Sequence, residues 1–192
     1  TWDGSVGEIA LTRGTLGAIT GTGLSRTAIF TPTANLASTT ASISVTNNSY
    51  QDAAGNNGST ASFTTLTFDT LAPSVSSLAL TSTTGAVASP SDATVKLLNA
   101  TDTLSATVTF TEAVTVLTTA GSPTLALVIG SSTVQATYLS GSGTNSLVFG
   151  TTLVSGQTDI DGVAIALNAL TLNGATLKDA AGNSSVDRKS VV

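Results

Sequence analysis

Three observations predict an all-β protein built of antiparallel sandwiches. Thr, Ser, Ala, Gly, Val and Leu dominate the 192 residues, while only 9% are charged and 4% aromatic, a composition that favours β-branched strands joined by small-residue turns. Short runs that alternate apolar and polar residues recur along the chain, as expected of strands with one buried face. Turn-forming clusters separate these runs at the short spacing of antiparallel hairpins rather than of parallel βαβ units, and no segment carries a convincing helical period.

The elements follow in order. The chain opens on TWDGSVGEIAL, strand-like within two or three residues. RTAIFTPT comes next, with Ile29, Phe30 and Thr31, and then ASISVT, which sets Ile43 and Val45 on one face. A polar turn, DAAGN at residues 52–56, leads into ASFTTLTFDT with Leu66 and Phe68. The segment FDTLAP then closes the run: Pro73 has no amide donor and biases Ala72 toward extended backbone, so a strand ends and a short stiff connection begins. This is the predicted domain boundary, with residues 1–72 the later part of one domain and residues 73–186 a second.

Beyond the boundary the period of two is clearer. Leu104, Ala106, Val108 and Phe110 hold it, as do Leu125, Leu127 and Ile129, then Val134, Ala136 and Tyr138, then Leu147 and Phe149. TAGSP, SGSGTN, SGQTDIDG and LNGA supply the turns. DAAGN returns at residues 179–183, one domain length after the first copy. A strand follows the first copy and runs to the proline; none follows the second, so the second domain is expected to lack its closing strand and the first its opening strands. The last six residues, DRKSVV, change composition abruptly and resemble the in-frame translation of a common sequencing adaptor; residues 187–192 are therefore expected to be non-native.

Composition also excludes functions. Six basic against eleven acidic residues give a net charge of −5, which argues against nucleic acid or an anionic membrane surface, because both require clustered Lys or Arg. No run of about 18 apolar residues occurs, so direct membrane insertion is not expected, and no basic-then-apolar leader begins at Thr1. Cys, His and Met are absent. Disulfides, the usual zinc ligands and the Ser-His-Asp and Cys-His nucleophile pairs go with them, so the chain is not expected to be an enzyme. Its acidic groups suit a divalent cation instead.

Two stretches carry a family resemblance. TDTLSATVTFTEAVTVLTTAGSPTLALVIGSSTVQATYLSGSGTNSLVFG, followed by LTLNGATLKDAAGN, resembles the repeated Ig-like domains of giant bacterial cell-surface adhesins and biofilm-associated proteins. GEIALTRGTLGAITGTGLSRTAIFTPTANLASTTASISVTNNSYQDAAGN, with FDTLAP, is similar to a sister Ig-like type from the same proteins. The signature is the combination of TFTEAV, SGSGT, DAAGN and DTLAP, and the resemblance extends to Val186. It implies two tandem Ig-like antiparallel β-sandwich domains, an extracellular or cell-surface location, a rod-forming role among neighbouring repeats of the same chain, and calcium between domains. The loop TLVSGQTDIDGVAI carries fewer acids than such relatives would have.

Topology offers an independent route to calcium. In a sandwich whose strands run up and down, the turn before the last strand lies at the entry pole, and so does the end of the second strand. DAAGN is that turn, and LSATVTF, ending at Glu112, is that strand. Glu112, Asp179 and Asn183 are therefore expected to meet at one pole, where the linker Asp69 arrives from the domain before. Like charges repel unless a cation compensates, and calcium, taking six to eight oxygens, suits three carboxylates and an amide. Asp52 and Asn56 would serve an upstream joint. The alternative is that DAAGN is only a turn, since Asp and Asn hydrogen-bond nearby backbone and Gly-Asn supplies positive φ.

Other features are weaker. Asp159 and Asp161 would share a face if on a strand and could hold a second ion or act as paired carboxylates in hydrolysis, but no third acid, His or aromatic platform accompanies them, so they read as a solvated loop. GTGLSR and SGSGTN lack the helix and Lys of a phosphate loop and read as hairpin turns. Trp2 reads as part of an incomplete core, and Tyr50 and Tyr138 as packing residues with hydroxyls at the rim. The expected function is a stalk or spacer stiffened by calcium and supporting adhesion or biofilm formation. The alternatives are a carbohydrate- or protein-binding Ig-like module, and an accessory domain of an extracellular hydrolase.

Overall fold

The computed structural model describes residues 8–82, 87–88, 96–159 and 162–185. Trp2, Asp161, Val186 and residues 187–192 lie outside the described residues. The chain divides into two compact units, Thr1–Leu71 and Ala72–Val192. All regular structure among the described residues is strand, paired antiparallel, and the fold class is the all-β, Ig-like sandwich.

The first unit holds β1 (Ile9–Leu11), β2 (Gly14–Leu16), β3 (Phe30–Pro32), β4 (Thr39–Val45) and β5 (Ala61–Phe68). The strands β1, β4 and β5 form one sheet in the order β1-β4-β5, and β2 pairs with β3. Ala41, 1% exposed, is the one fully buried apolar side chain described in this unit; Ile43 and Val45 are half-buried. Cohesion therefore comes from ladders and a few bridging contacts. The Phe30 and Phe68 rings meet at 6.2 Å and tie β3 to β5. Phe30 also lies on Gly14, where a Cβ would come within 2.3 Å of its ring. Thr70 stitches the 33–36 turn: its Oγ1 donates to the Thr33 carbonyl at 2.8 Å and its N donates to that of Leu36 at 2.8 Å.

RTAIFTPT is shorter as a strand than its alternation implies. Only Phe30–Pro32 pair regularly, Thr27 makes a lone bridge to Thr20, and Ile29 is exposed. The positive φ of Gly21 and Gly23 turns the chain there into a loop, which ends the ladder.

The second unit holds β6 (Val75–Ser82), β7 (Val87–Ala88), β8 (Lys96–Leu97), β9 (Thr103–Leu117), β10 (Thr124–Ile129), β11 (Ser132–Ser140), β12 (Thr144–Thr152), β13 (Ala164–Thr171) and β14 (Thr176–Lys178). Apart from the small β7–β8 pair, they form a seven-stranded sheet in the order β13-β10-β11-β12-β9-β14, with β6 also on β9. The sheet curls into two layers. Val75 and Leu78 of β6 face Ile165, Ala166, Ala169 and Leu170 of β13 across a cavity of only about 20 Å³, and the alternate residues of both layers fill the space between. Leu104, Ala106, Val108 and Phe110 of β9 join Leu125 and Leu127 of β10, Ala136 of β11, Leu147 and Phe149 of β12 and Leu177 of β14 in one buried cluster.

The strand expected to end at Glu112 continues through it to Leu117. It survives by bending: Ser146 pairs with Thr109 but Thr144 pairs with Val114, so extra β9 residues bulge between the two points. The first part of β9 carries β6, and the part beyond the bend carries β14, with Lys178 opposite Thr115 and Leu177 opposite Val116. The strands β6 and β14 are thus laced to one strand.

Candidate functional site

Both DAAGN turns close on themselves by the same set of bonds. In residues 179–183 the Asp179 Oδ1 accepts the Asn183 backbone N–H at 2.8 Å and Oδ2 accepts the Asn183 side-chain amide at 2.7 Å. The backbone adds Asp179 N to Asn183 O at 3.1 Å and Gly182 N to Asp179 O at 3.3 Å. In residues 52–56 the Asp52 Oδ1 accepts the N–H groups of Ala54 at 2.8 Å and Asn56 at 2.9 Å, and Oδ2 accepts the Asn56 amide at 2.8 Å. The five letters encode an Asp–Asn clasp, with glycine supplying the left-handed position, φ +89° at Gly55 and +93° at Gly182.

Environment separates the copies. Asp179 is 6% exposed, because Leu177 before it is buried in the core and β14 holds the turn against β9. Asp52 is exposed. Hydrogen bonds from the Asn56 side chain and backbone hold the Asp52 carboxyl below its ordinary value, with smaller help from Ala54 and Gly55.

The bend of β9 gathers the candidate residues of the second unit. Ser74, just past Pro73, accepts from the Thr111 N–H at 2.8 Å and donates its own N–H to Thr111 Oγ1 at 3.1 Å. On the same strand Glu112 shares the inward parity of Phe110 and Val114, and the Lys178–Thr115 pair delivers the 179–183 turn to this stretch. Entry segment, Glu112, Asp179 and Asn183 therefore belong to one end of the second unit. Asp69 belongs to the first unit, where its Oδ1 accepts the Leu71 N–H at 2.9 Å.

As ligands, these groups are already partly committed. The Asn183 side-chain nitrogen donates to Asp179 Oδ2, so it is taken up inside the clasp and any ligation by this side chain falls to its Oδ1. Among the described residues no three His, Cys, Asp or Glu gather as a metal cluster. Asp159 Oδ1 accepts the Gly162 N–H at 2.9 Å, while its companion Asp161 lies outside the described residues.

Sequence reasoning passed over two acids. Asp102 is buried, and its Oδ2 accepts the Asn99 N–H at 2.7 Å. It closes the turn that starts β9, where Thr101 sits at φ +82° and is held by Leu153. The NATD string, an Asn and an Asp bracketing a reversal, was the available signal. Glu8 is also buried, and its backbone carbonyl receives Thr46 N–H at 2.8 Å; nothing in the surrounding letters marks it.

Residues 3–68 match the family model described as a bacterial Ig-like domain, about a third of the chain. No curated protein and no solved structure matches. Domains of this kind are typically non-catalytic and often extracellular.

Proposed function

We propose that this chain is a pair of structural spacer modules from a bacterial surface protein, holding a distal adhesive part away from the cell. One observation carries the reading: in the second unit β6, which enters it, and β14, which leads into the second DAAGN turn, are both hydrogen-bonded to β9, a central strand of the buried core. The unit is thereby knit by backbone ladders around a well-buried core rather than by loose side-chain contacts. The low charge, the Thr- and Ser-rich surface and the absence of His and Cys support a mechanical rather than a chemical role. Adhesion and biofilm support rest on the resemblance of TFTEAV, SGSGT, DAAGN and DTLAP to adhesin repeats.

Calcium at the joint is part of the proposal. Glu112, Asp179 and Asn183 at the entry end of the second unit, with Asp69 three residues before Ala72, are the groups that would hold it. An ion there would stiffen the chain by binding the aligned arrangement in preference to others. Asp52 and Asn56 would meet an upstream repeat. Small-angle scattering of one, two and four tandem copies tests the spacer reading: the maximum dimension should rise in proportion to copy number, and a dimension that saturates would overturn it.

A further inference from the structure

We propose that the first unit carries a binding site for a neutral saccharide, which goes beyond a spacer role. An open cleft of about 780 Å³ lies between the Gly23 turn and the first DAAGN turn, lined by Leu24, Arg26, Val45, Tyr50, Gln51 and Asp52. That volume falls within the range of about 300–1,000 Å³ typical of small-ligand sites. Leu24 is fully exposed on its rim, an unusual place for a leucine that has nothing to cover.

The walls match the two surfaces of a sugar ring. A pyranose has an apolar face of C–H groups and a rim of hydroxyls that both donate and accept. Tyr50 supplies apolar ring surface for the first: a Cβ on Gly58 would stand 2.0 Å from Tyr50 Cζ, so the ring is seated against Gly58, and Tyr50 is among the residues lining the cleft. Only glycine at position 58 permits this seat. Leu24 and Val45 extend the apolar surface.

Polar groups of both kinds surround that surface. The Arg26 Nη1 is anchored to the Gly23 and Ser25 carbonyls, both at 2.9 Å, which fixes the guanidinium at the cleft while its other N–H groups make no hydrogen bond to a described residue. The clasp of residues 52–56 fixes the Asp52 carboxylate; Oδ2 accepts one bond from Asn56 and retains acceptor capacity. Gln51 is oriented by its Nε2 bond to Asn57 Oδ1 at 2.9 Å. Among the described lining residues one guanidinium and one carboxylate balance, so paired hydroxyls suit the cleft better than a phosphate, a carboxylate or an amine.

The test is a titration of the isotope-labelled full chain with the methyl glycosides of glucose, galactose, mannose and N-acetylglucosamine, followed by amide chemical shifts. At least one should give saturable shifts at Leu24, Arg26 and residues 50–53, with a dissociation constant on the order of millimolar. Tyr50→Leu, which keeps an apolar cover on Gly58, and Arg26→Gln should each weaken that binding about tenfold, with second-unit amides unmoved. The proposal is overturned if all four sugars give no saturable shift up to about 50 mM, far above the expected constant. Shifts confined to other residues, or binding unchanged in both variants, overturn it equally. If a variant fails to fold, the location of the shifts in the unaltered chain still decides.

Discussion

Replacing Asp179 by alanine separates the clasp from the calcium reading more sharply than any other single change. The substitution leaves the Asn183 N–H and side-chain amide without their acceptor, in a turn whose aspartate is nearly buried. Each partly buried donor left unsatisfied costs about 1–3 kcal/mol. The Asn183 side chain is half-exposed and can turn to water, so we take the low end for it and expect a loss of about 2–3 kcal/mol. For a unit of this size about 1 kcal/mol moves the midpoint by roughly 4 °C, which gives a fall of about 8–12 °C. The assay is thermal unfolding in excess chelator, followed by near-ultraviolet signal and, separately, by second-unit amide resonances. Asp52→Ala, in the same motif but exposed, should leave the second unit unchanged and disturb only the order of residues 52–58. A midpoint that falls by less than about 1 °C for Asp179→Ala in chelator would refute the clasp as a stabilising device.

Three further outcomes follow. Gly141 stands at φ +110°, and a Cβ there would meet the Ser146 carbonyl at 2.1 Å, whereas Gly143 at φ +83° has open space around it; in chemical denaturation Gly141→Ala should cost clearly more than Gly143→Ala, itself expected near 1 kcal/mol for the left-handed backbone alone. Because the Asp52 carboxyl titrates below its ordinary value in the folded state, its contribution to the turn is present above the ordinary carboxylate range and is lost as pH falls through the lowered value; a carboxyl-carbon titration should place its midpoint below that of an unfolded peptide, and a midpoint at or above it would contradict the hydrogen-bond account. Calcium added to the full chain should raise the unfolding midpoint, and Asp69→Asn, Glu112→Gln and Asp179→Asn combined should abolish the rise; coincident curves with and without calcium would remove the ion from the joint.

How much of this was legible beforehand depended on where alternation was undisturbed. Leu104 to Phe110, Leu125 to Ile129 and Leu147 with Phe149 read directly because each strand buries one face at a strict period of two. β13 did not: AIALNALT is rich in Ala, a poor strand former, and Asn168 at φ +59° breaks its phase where the register with β10 shifts. The spacing of Val75, Leu78 and Leu80 in β6 likewise hides a shift between Val75 and Ser77. The end of β9 was misplaced because a bend looks like a strand end in one dimension; its continuation depends on β14, which pairs with it from some sixty residues away. For the candidate site, DAAGN was legible as an acidic turn, but its internal clasp was not, since the Asn183 amide reaches the Asp179 carboxylate only once the turn has closed. The cleft beside Tyr50 was hidden for a similar reason: Gly23, Arg26, Val45 and Tyr50 are brought together only by folding.

The measurement that bears most directly on the mechanical reading is single-molecule extension of the chain held at its two ends. With its strands laced around one buried core, the second unit should resist load and then give way in one cooperative step. The contour length of residues 74–185 is on the order of 380 Å at roughly 3.4 Å per residue, and the freed length should be that value less the folded span. A gradual extension under low force, or release in several short steps, would contradict a mechanical spacer.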